Sequence, residues 1–190
     1  MATTFRSNGL PSVTAILQAV GLGPDLTRVP PDILEATRDR GTQVHAGIEA
    51  LHYGYDYEID PEYKPWLDAY LRFVEETQHV PIISEGYVRN DAWGYEGHPD
   101  RIGWLTLKGF VGHRTVIDFK SGAAEGVDLQ LAGYAAAYNA MNPKAQIDRA
   151  GAVALRKDGT YRFIPVDLRA ATPIWYAAVT VYRERVRRHG

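Results

Sequence analysis

The stretch GHPDRIGWLTLKGFVGHRTVIDFKSG, residues 97 to 122, decides how the chain is read. Its last third has the β-branched and aromatic bias of a sheet interior in Thr115, Val116, Ile117 and Phe119, yet Asp118 and Lys120 stand among them. Residues two apart on a strand face the same side, so a carboxylate and an ammonium group point together out of an otherwise apolar segment. A Gly-His-Pro-Asp turn at 97 to 100 offers a third charged group, Asp100, shortly before.

Working outward, the segments around this stretch predict a meander of three strands: PIISEGYVRN, YEGHPDRIGWLTL and HRTVIDFK, with Gly109 and Gly112 turning between the last two. Before it, Ser12 is a candidate N-cap for a helix carrying Val13, Ile16, Leu17 and Val20 and stopped by Gly21 or Gly23. A second helix is expected from Pro30 and Pro31 to His52, with Leu34, Val44, Ile48 and Leu51 on its buried side. After the bridge HYGYDYEID, a third spans 61 to 78 with Trp66, Leu67, Tyr70, Leu71 and Val74 inward. Downstream of the meander come a helix from Val127 to Met141 and a hairpin turning at Asp158-Gly159. A last helix follows from Pro173 to Arg188. The expected fold class is α/β (α+β): a central mixed sheet flanked by helices, in one domain over 1–190, with 1–79 helical and 80–190 forming the sheet core.

The 190 residues are 45% hydrophobic and 23% charged, the balance of a globular chain rather than a disordered one. There is no cysteine, which excludes disulfides, thiolate metal sites and a cysteine nucleophile. The opening residues lack the pattern of a secretory leader, and no segment has the length of a membrane span, so an intracellular, soluble, cytoplasmic protein with no membrane partner is expected. A net charge of −2 does not give the basic excess usual among nucleic-acid binders. A site that gathers carboxylates lowers net charge by itself.

Carboxylates converging on one point suit Mg²⁺ or Mn²⁺, which prefer hard oxygen ligands. Such ions stabilise the charge that builds up during phosphodiester hydrolysis. Asp100 and Asp118 are the candidate ligands, and Lys120, on the same strand face as Asp118, would stabilise transition-state charge electrostatically. Gln130 and Tyr134 stand four apart on the following helix and share a face.

Gly97 to Asp100 followed by Asp118-Phe119-Lys120 resembles the core signature of the PD-(D/E)XK nuclease superfamily. The GTQVH segment ending in His45, together with Gln130 and Tyr134, is similar to its RecB-like exonuclease branch. LPSVTAIL, from Leu10, resembles the opening of phage-type and mitochondrial genome maintenance exonucleases in that branch. The resemblance spans about residues 10 to 138. It implies a restriction-endonuclease-like core in which His45, Asp100, Asp118 and the backbone carbonyl of Phe119 hold catalytic metal and Lys120 assists the nucleophile. It also implies that Gln130 and Tyr134 touch the attacking water or the substrate phosphate. Glu85 matches a carboxylate found on the first strand of such cores. The implied activity is a DNA exonuclease on single strands or ends, in DNA repair, recombination or phage DNA metabolism, with a recombination or repair protein as possible partner. A catalytically inactive DNA-binding module, an endonuclease and a nuclease subunit of a larger complex are the alternatives.

Other residues carry blander readings. His52 and Glu49 are rivals of His45 on the same helix. His98 is expected to fix the turn before Asp100, and His113 to lie near a loop. Arg101, Lys108, Arg114 and Ser121 are candidates for DNA backbone contacts. Tyr53, Tyr55, Tyr57, Tyr63 and Trp66 are expected to pack between helix ends rather than to stack bases, and Tyr134 has the option of packing against Tyr138.

Overall fold

In the computed structural model, residues 9–122, 124 and 126–189 are described; most of the opening stretch read for a leader, 1–8, lies outside them. Five strands form one mixed sheet in the order β1 (Val80–Ser84), β4 (Arg101–Trp104), β5 (Thr115–Lys120), β6 (Arg149–Leu155) and β7 (Tyr161–Val166). All neighbours are antiparallel except β5 and β6, which run parallel through the crossover helix α4 (Val127–Met141). Alternation along the strands sorts side chains to two faces. Val116, Ala150 and Ala152 join the core beneath α1 (Val13–Val20), α4 and α5 (Leu168–His189). Ile117, Phe119, Val153 and Leu155 join a second core beneath α2 (Pro31–Tyr53) and α3 (Lys64–Thr77). The central mixed sheet flanked by helices is therefore the expected fold class.

The meander is interrupted. Glu85 to Tyr87 breaks the first expected strand into β1 and β2 (Val88–Asn90), and His98 to Asp100 breaks the second into β3 (Tyr95–Gly97) and β4. The hairpin β2–β3 leaves the main sheet and packs on α4 and α1, while β1 pairs with β4 directly. The cause is local: Glu85 has φ 48, a left-handed conformation that ends strand pairing, and Pro99 brings the chain back without an N–H to donate. Covered on several sides by α1, α5, the hairpin and the sheet, α4 is buried nearly all round, as its composition of Ala, Leu and Gly permits.

Helix boundaries follow their caps. Ser12 accepts the N–H of Ala15 and Gly21 closes α1 at φ 77, as expected from the sequence. The last helix begins five residues before Pro173, because Asp167 caps it through the N–H groups of Arg169 and Ala170. Pro173 is thus inside the helix, not its first residue. Leu51 and Leu71, expected inward, are exposed. The buried stripe of α3 runs through Trp66, Ala69, Tyr70, Phe73 and Thr77, which turns Leu71 outward, and α2 reaches past its cover before Leu51. The Asp158-Gly159 turn joins β6 to β7 as read from the sequence, with Asp158 accepting from Thr160.

Trp175 of α5 is fully buried, with its ring edge-on to Tyr95 at 4.9 Å, and ties α5 to the hairpin. Trp175→Ala should lower unfolding free energy by about 3–5 kcal/mol in urea titrations. A loss below ~1 kcal/mol would show that this contact does not anchor the hairpin.

Candidate active site

Strand register assembles the site before any side chain is considered. Arg101 pairs with Ile117 across β4–β5 and with Ser84 across β1–β4. The next step along each chain therefore sets Glu85, Asp100 and Asp118 near one edge of three adjacent strands. Two backbone bonds seal the junction: Glu85 N–H donates to Asp100 O at 2.9 Å and Gly86 N–H to Pro99 O at 3.1 Å. Asp100 is then fixed through its side chain, whose Oδ2 accepts the N–H of Phe119 at 2.7 Å.

His45 of α2 reaches the same point. Its Nε2–H donates to the carbonyl of Phe119 at 3.1 Å, and its Nδ1 lies 3.8 Å from Asp100 Oδ1. Donor atoms of His45, Glu85 and Asp100 all lie within 4.8 Å of one another. Two carboxylates and an imidazole grouped this closely are donors that could hold a divalent cation. The rival residues on α2 are accounted for otherwise: His52 pairs with Ser84 Oγ at 2.7 Å, and Glu49 is exposed.

Asp118, Lys120, Gln130 and Tyr134 form a second, linked group. Lys120 Nζ is 2.8 Å from Asp118 Oδ2 and donates to Gln130 Oε1 at 3.3 Å. Gln130 Nε2 donates to Asp118 Oδ1 at 2.9 Å and to the Tyr134 hydroxyl at 3.1 Å. The same-face reading of Asp118 and Lys120 and the one-turn spacing of Gln130 and Tyr134 are both visible in these contacts. Tyr134 is buried with Tyr138 in the core, yet its hydroxyl stays in the network. Gly97 makes this possible, since a Cβ there would sit 2.5 Å from the Tyr134 ring.

Among the described residues the three-residue cluster contains Glu85 and not Asp118, whose Oδ1 accepts from Gln130 and whose Oδ2 lies 2.8 Å from Lys120 Nζ. The Phe119 carbonyl accepts from His45. Arg101, expected to touch DNA, is entirely enclosed: Nη1 donates to Asp100 O at 2.8 Å and lies 3.5 Å from Glu85 Oε1. It thus braces Asp100 and the Glu85 carboxylate from behind, and the left-handed backbone of Glu85 is a conformation that costs ~1–3 kcal/mol. Ser121 is half-buried near Gly41 of α2, close to the network. Lys108 and Arg114 belong to the connection between β4 and β5 at the far end of those strands, Arg114 lying about 13 Å from Asp118 by strand rise, and Arg114 stacks on Trp104 and Tyr138. His113 bonds Asp148 at 2.6 Å in that far loop, and His98 packs on Tyr87. Sequence reading missed the structural use of Arg101, which follows from the pairing of β4 with strands on both sides.

Burial and the neighbouring Asp100 push the Asp118 carboxyl up to about 7 against the opposing pull of Lys120. Burial and Asp100 likewise push Glu85 up to about 7, with His45 and Arg101 opposing. Burial and Asp118 raise the Tyr134 hydroxyl, which stays protonated.

No family model matches the chain, and no curated protein matches it. Two solved structures align with it over most of its length. LHK-Exo in complex with dAMP shares 12% identity, with a TM-score of 0.48 over 94% of this chain and 88% of that one. The alkaline exonuclease LHK-Exo from Laribacter hongkongensis shares 12% identity, with a TM-score of 0.42 over 95% and 92%.

Because Asp118 and Glu85 keep protons that the unfolded chain releases near pH 4, the folded state binds more protons than the unfolded state between about pH 4 and about pH 7. Their contribution to stability is complete on the acid side and is lost as pH rises through that window. Urea titrations of the chelator-treated protein from about pH 5 to about pH 8 should show this fall. Asp118→Asn should flatten it and be the more stable form at the alkaline end. A wild-type stability that rises across the window would contradict the assignment.

Proposed function

We propose that this chain is a divalent-metal-dependent deoxyribonuclease, an exonuclease that hydrolyses phosphodiester bonds of single-stranded DNA or DNA ends with little sequence specificity. The observation that carries the reading is the convergence of His45, Glu85 and Asp100 donor atoms within 4.8 Å, beside the buried Asp118–Lys120 pair. His45, Glu85 and Asp100 would hold the ion. When bound, such an ion supplies charge neutralisation at the phosphate and acidifies water.

The chain's own groups do the rest. Lys120, held between Asp118 and Gln130, puts a positive charge where the phosphate becomes more negative. Gln130 fixes the orientation of Asp118 through its amide, and the Tyr134 hydroxyl remains a proton-bearing donor. Arg101 keeps Glu85 and the Asp100 turn in place. Water adds to phosphorus opposite the leaving oxygen, which departs with a proton. The charged and polar groups gathered at the site suit contact with phosphate, which favours backbone recognition over sequence recognition. Such an activity fits DNA repair, recombination or phage DNA metabolism. No helix among the described residues is long and apolar enough to cross a membrane.

The test is incubation with end-labelled linear DNA and with circular DNA, in Mg²⁺, in Mn²⁺ and with chelator. Metal-dependent loss of the linear substrate is expected, and Asp118→Asn or Lys120→Ala should reduce it by about 10²-fold or more while thermal unfolding stays cooperative. Full activity of Lys120→Ala would overturn the mechanism. Equal cutting of circular DNA would make the chain an endonuclease, and binding without cleavage would make it an inactive module.

A further inference from the structure

Of the aromatic residues expected to pack between helix ends, Trp66 is buried with Tyr63 against it, whereas Tyr53, the last residue of α2, and Tyr55 are not packed in this way. Tyr53 is 47% exposed and Tyr55 68% exposed. Their rings stack on each other, with centroids 5.7 Å apart and planes at 27°. Scattered exposed aromatics need no explanation, but two stacked ones held in a fixed turn do. Gly54, at φ 68, ends the helix, and both its own N–H and that of Tyr55 return to the carbonyl of Ala50. This helix-stop motif folds Tyr55 back over the helix end, so the pair is preorganised rather than loosely displayed.

The pair also connects to the carboxylate cluster. The His52 ring meets Tyr53 at 4.7 Å, His52 Nε2 bonds Ser84 Oγ, and Ser84 precedes Glu85. Along α2, Tyr53 lies eight residues beyond His45, or about 12 Å of helix. A strand seated at the cluster would reach the tyrosines within the ~4–16 nucleotide footprints of single-strand-binding folds.

We propose that Tyr53 and Tyr55 form a stacking platform for unpaired nucleobases of a DNA strand whose phosphate lies at the carboxylate cluster. The inference rests on the nuclease reading and extends it to strand choice. Aromatic faces accept any base, so the platform adds affinity without sequence preference. Within a duplex each base face is covered by its neighbours, so the platform favours single strands and frayed ends. Asp56 and Glu58 stand beside the tyrosines and disfavour a contact led by phosphate charge. Stacking is what this segment offers.

Fluorescence anisotropy with a labelled oligonucleotide of about 12 nucleotides, in excess chelator, tests the platform without cleavage. The double variant Tyr53→Ala/Tyr55→Ala should bind the single strand about fivefold or more weakly, with the same dependence on salt, while binding to blunt duplex is unchanged. Phe at both positions should stay within about twofold of wild type, and Leu at both should not. Unchanged single-strand binding, an equal loss on duplex, or Leu serving as well as Phe would overturn the proposal. So would sedimentation showing a wild-type dimer that the double variant loses, which would make the surface a protein interface. Wild-type turnover of bis(4-nitrophenyl) phosphate with Mn²⁺, a diester without bases, tests the nuclease reading separately. Binding with the expected variant pattern but no turnover would retain the platform and remove the nuclease.

Discussion

One hydrogen bond organises the centre of this molecule: Asp100 Oδ2 accepting the backbone N–H of Phe119 at 2.7 Å. It joins the entry of β4 to the exit of β5 through a carboxylate instead of a carbonyl, at the point where ladder pairing between the two strands has ended. A charged acceptor makes a shorter and stronger bond than a neutral one, and here it is shielded from water. His45 fastens to the carbonyl of the same residue, so α2, β4 and β5 meet at Phe119. The ring of Phe119 meanwhile lies edge-on to Tyr70 and Phe73 of α3. A single residue thus has its backbone in the polar site and its side chain in the apolar core, and packing errors on the α3 side would reach the carboxylates through it.

The polar cluster is costly to bury. Asp100, Arg101 and Asp118 are all among the buried charged residues, and breaking one partner of such a set leaves the others without compensation. The arrangement offsets this by mutual contact, with Arg101 behind Glu85 and Asp100, and Lys120 and Gln130 over Asp118. Even so, two carboxyls remain pushed toward neutrality. Acids held this close together in a partly enclosed site cost stability, a pattern that clusters at functional sites.

Much of this was legible from residue spacing. Asp118 and Lys120 face one way because strand periodicity is two, and Gln130 and Tyr134 share a face because helix periodicity is near four. What spacing did not convey was long-range. The break at Glu85 depends on a left-handed residue that is not glycine, and the sequence gives no warning of it. The enclosure of Arg101 follows from pairing with strands on both sides, which composition does not reveal, since arginine is ordinarily a surface residue. Asp167 displaced Pro173 as the start of α5 because a side-chain cap acts on neighbours that a periodicity count ignores. The exposure of Leu51 and Leu71 was set by where covering elements stop, a property of the assembled layers alone.

The hairpin β2–β3 is an excursion whose two ends are Glu85 and Asp100, and its mouth is closed by the paired backbone bonds between residues 85–86 and 99–100. The far turn at Asp91 and Ala92 is exposed. Chain length at that tip is therefore insulated from the spacing of the acids at the base. Asp91-Ala92 is a position where a fluorophore-bearing peptide or an affinity handle can be grafted, reporting on the protein without altering the geometry it depends on.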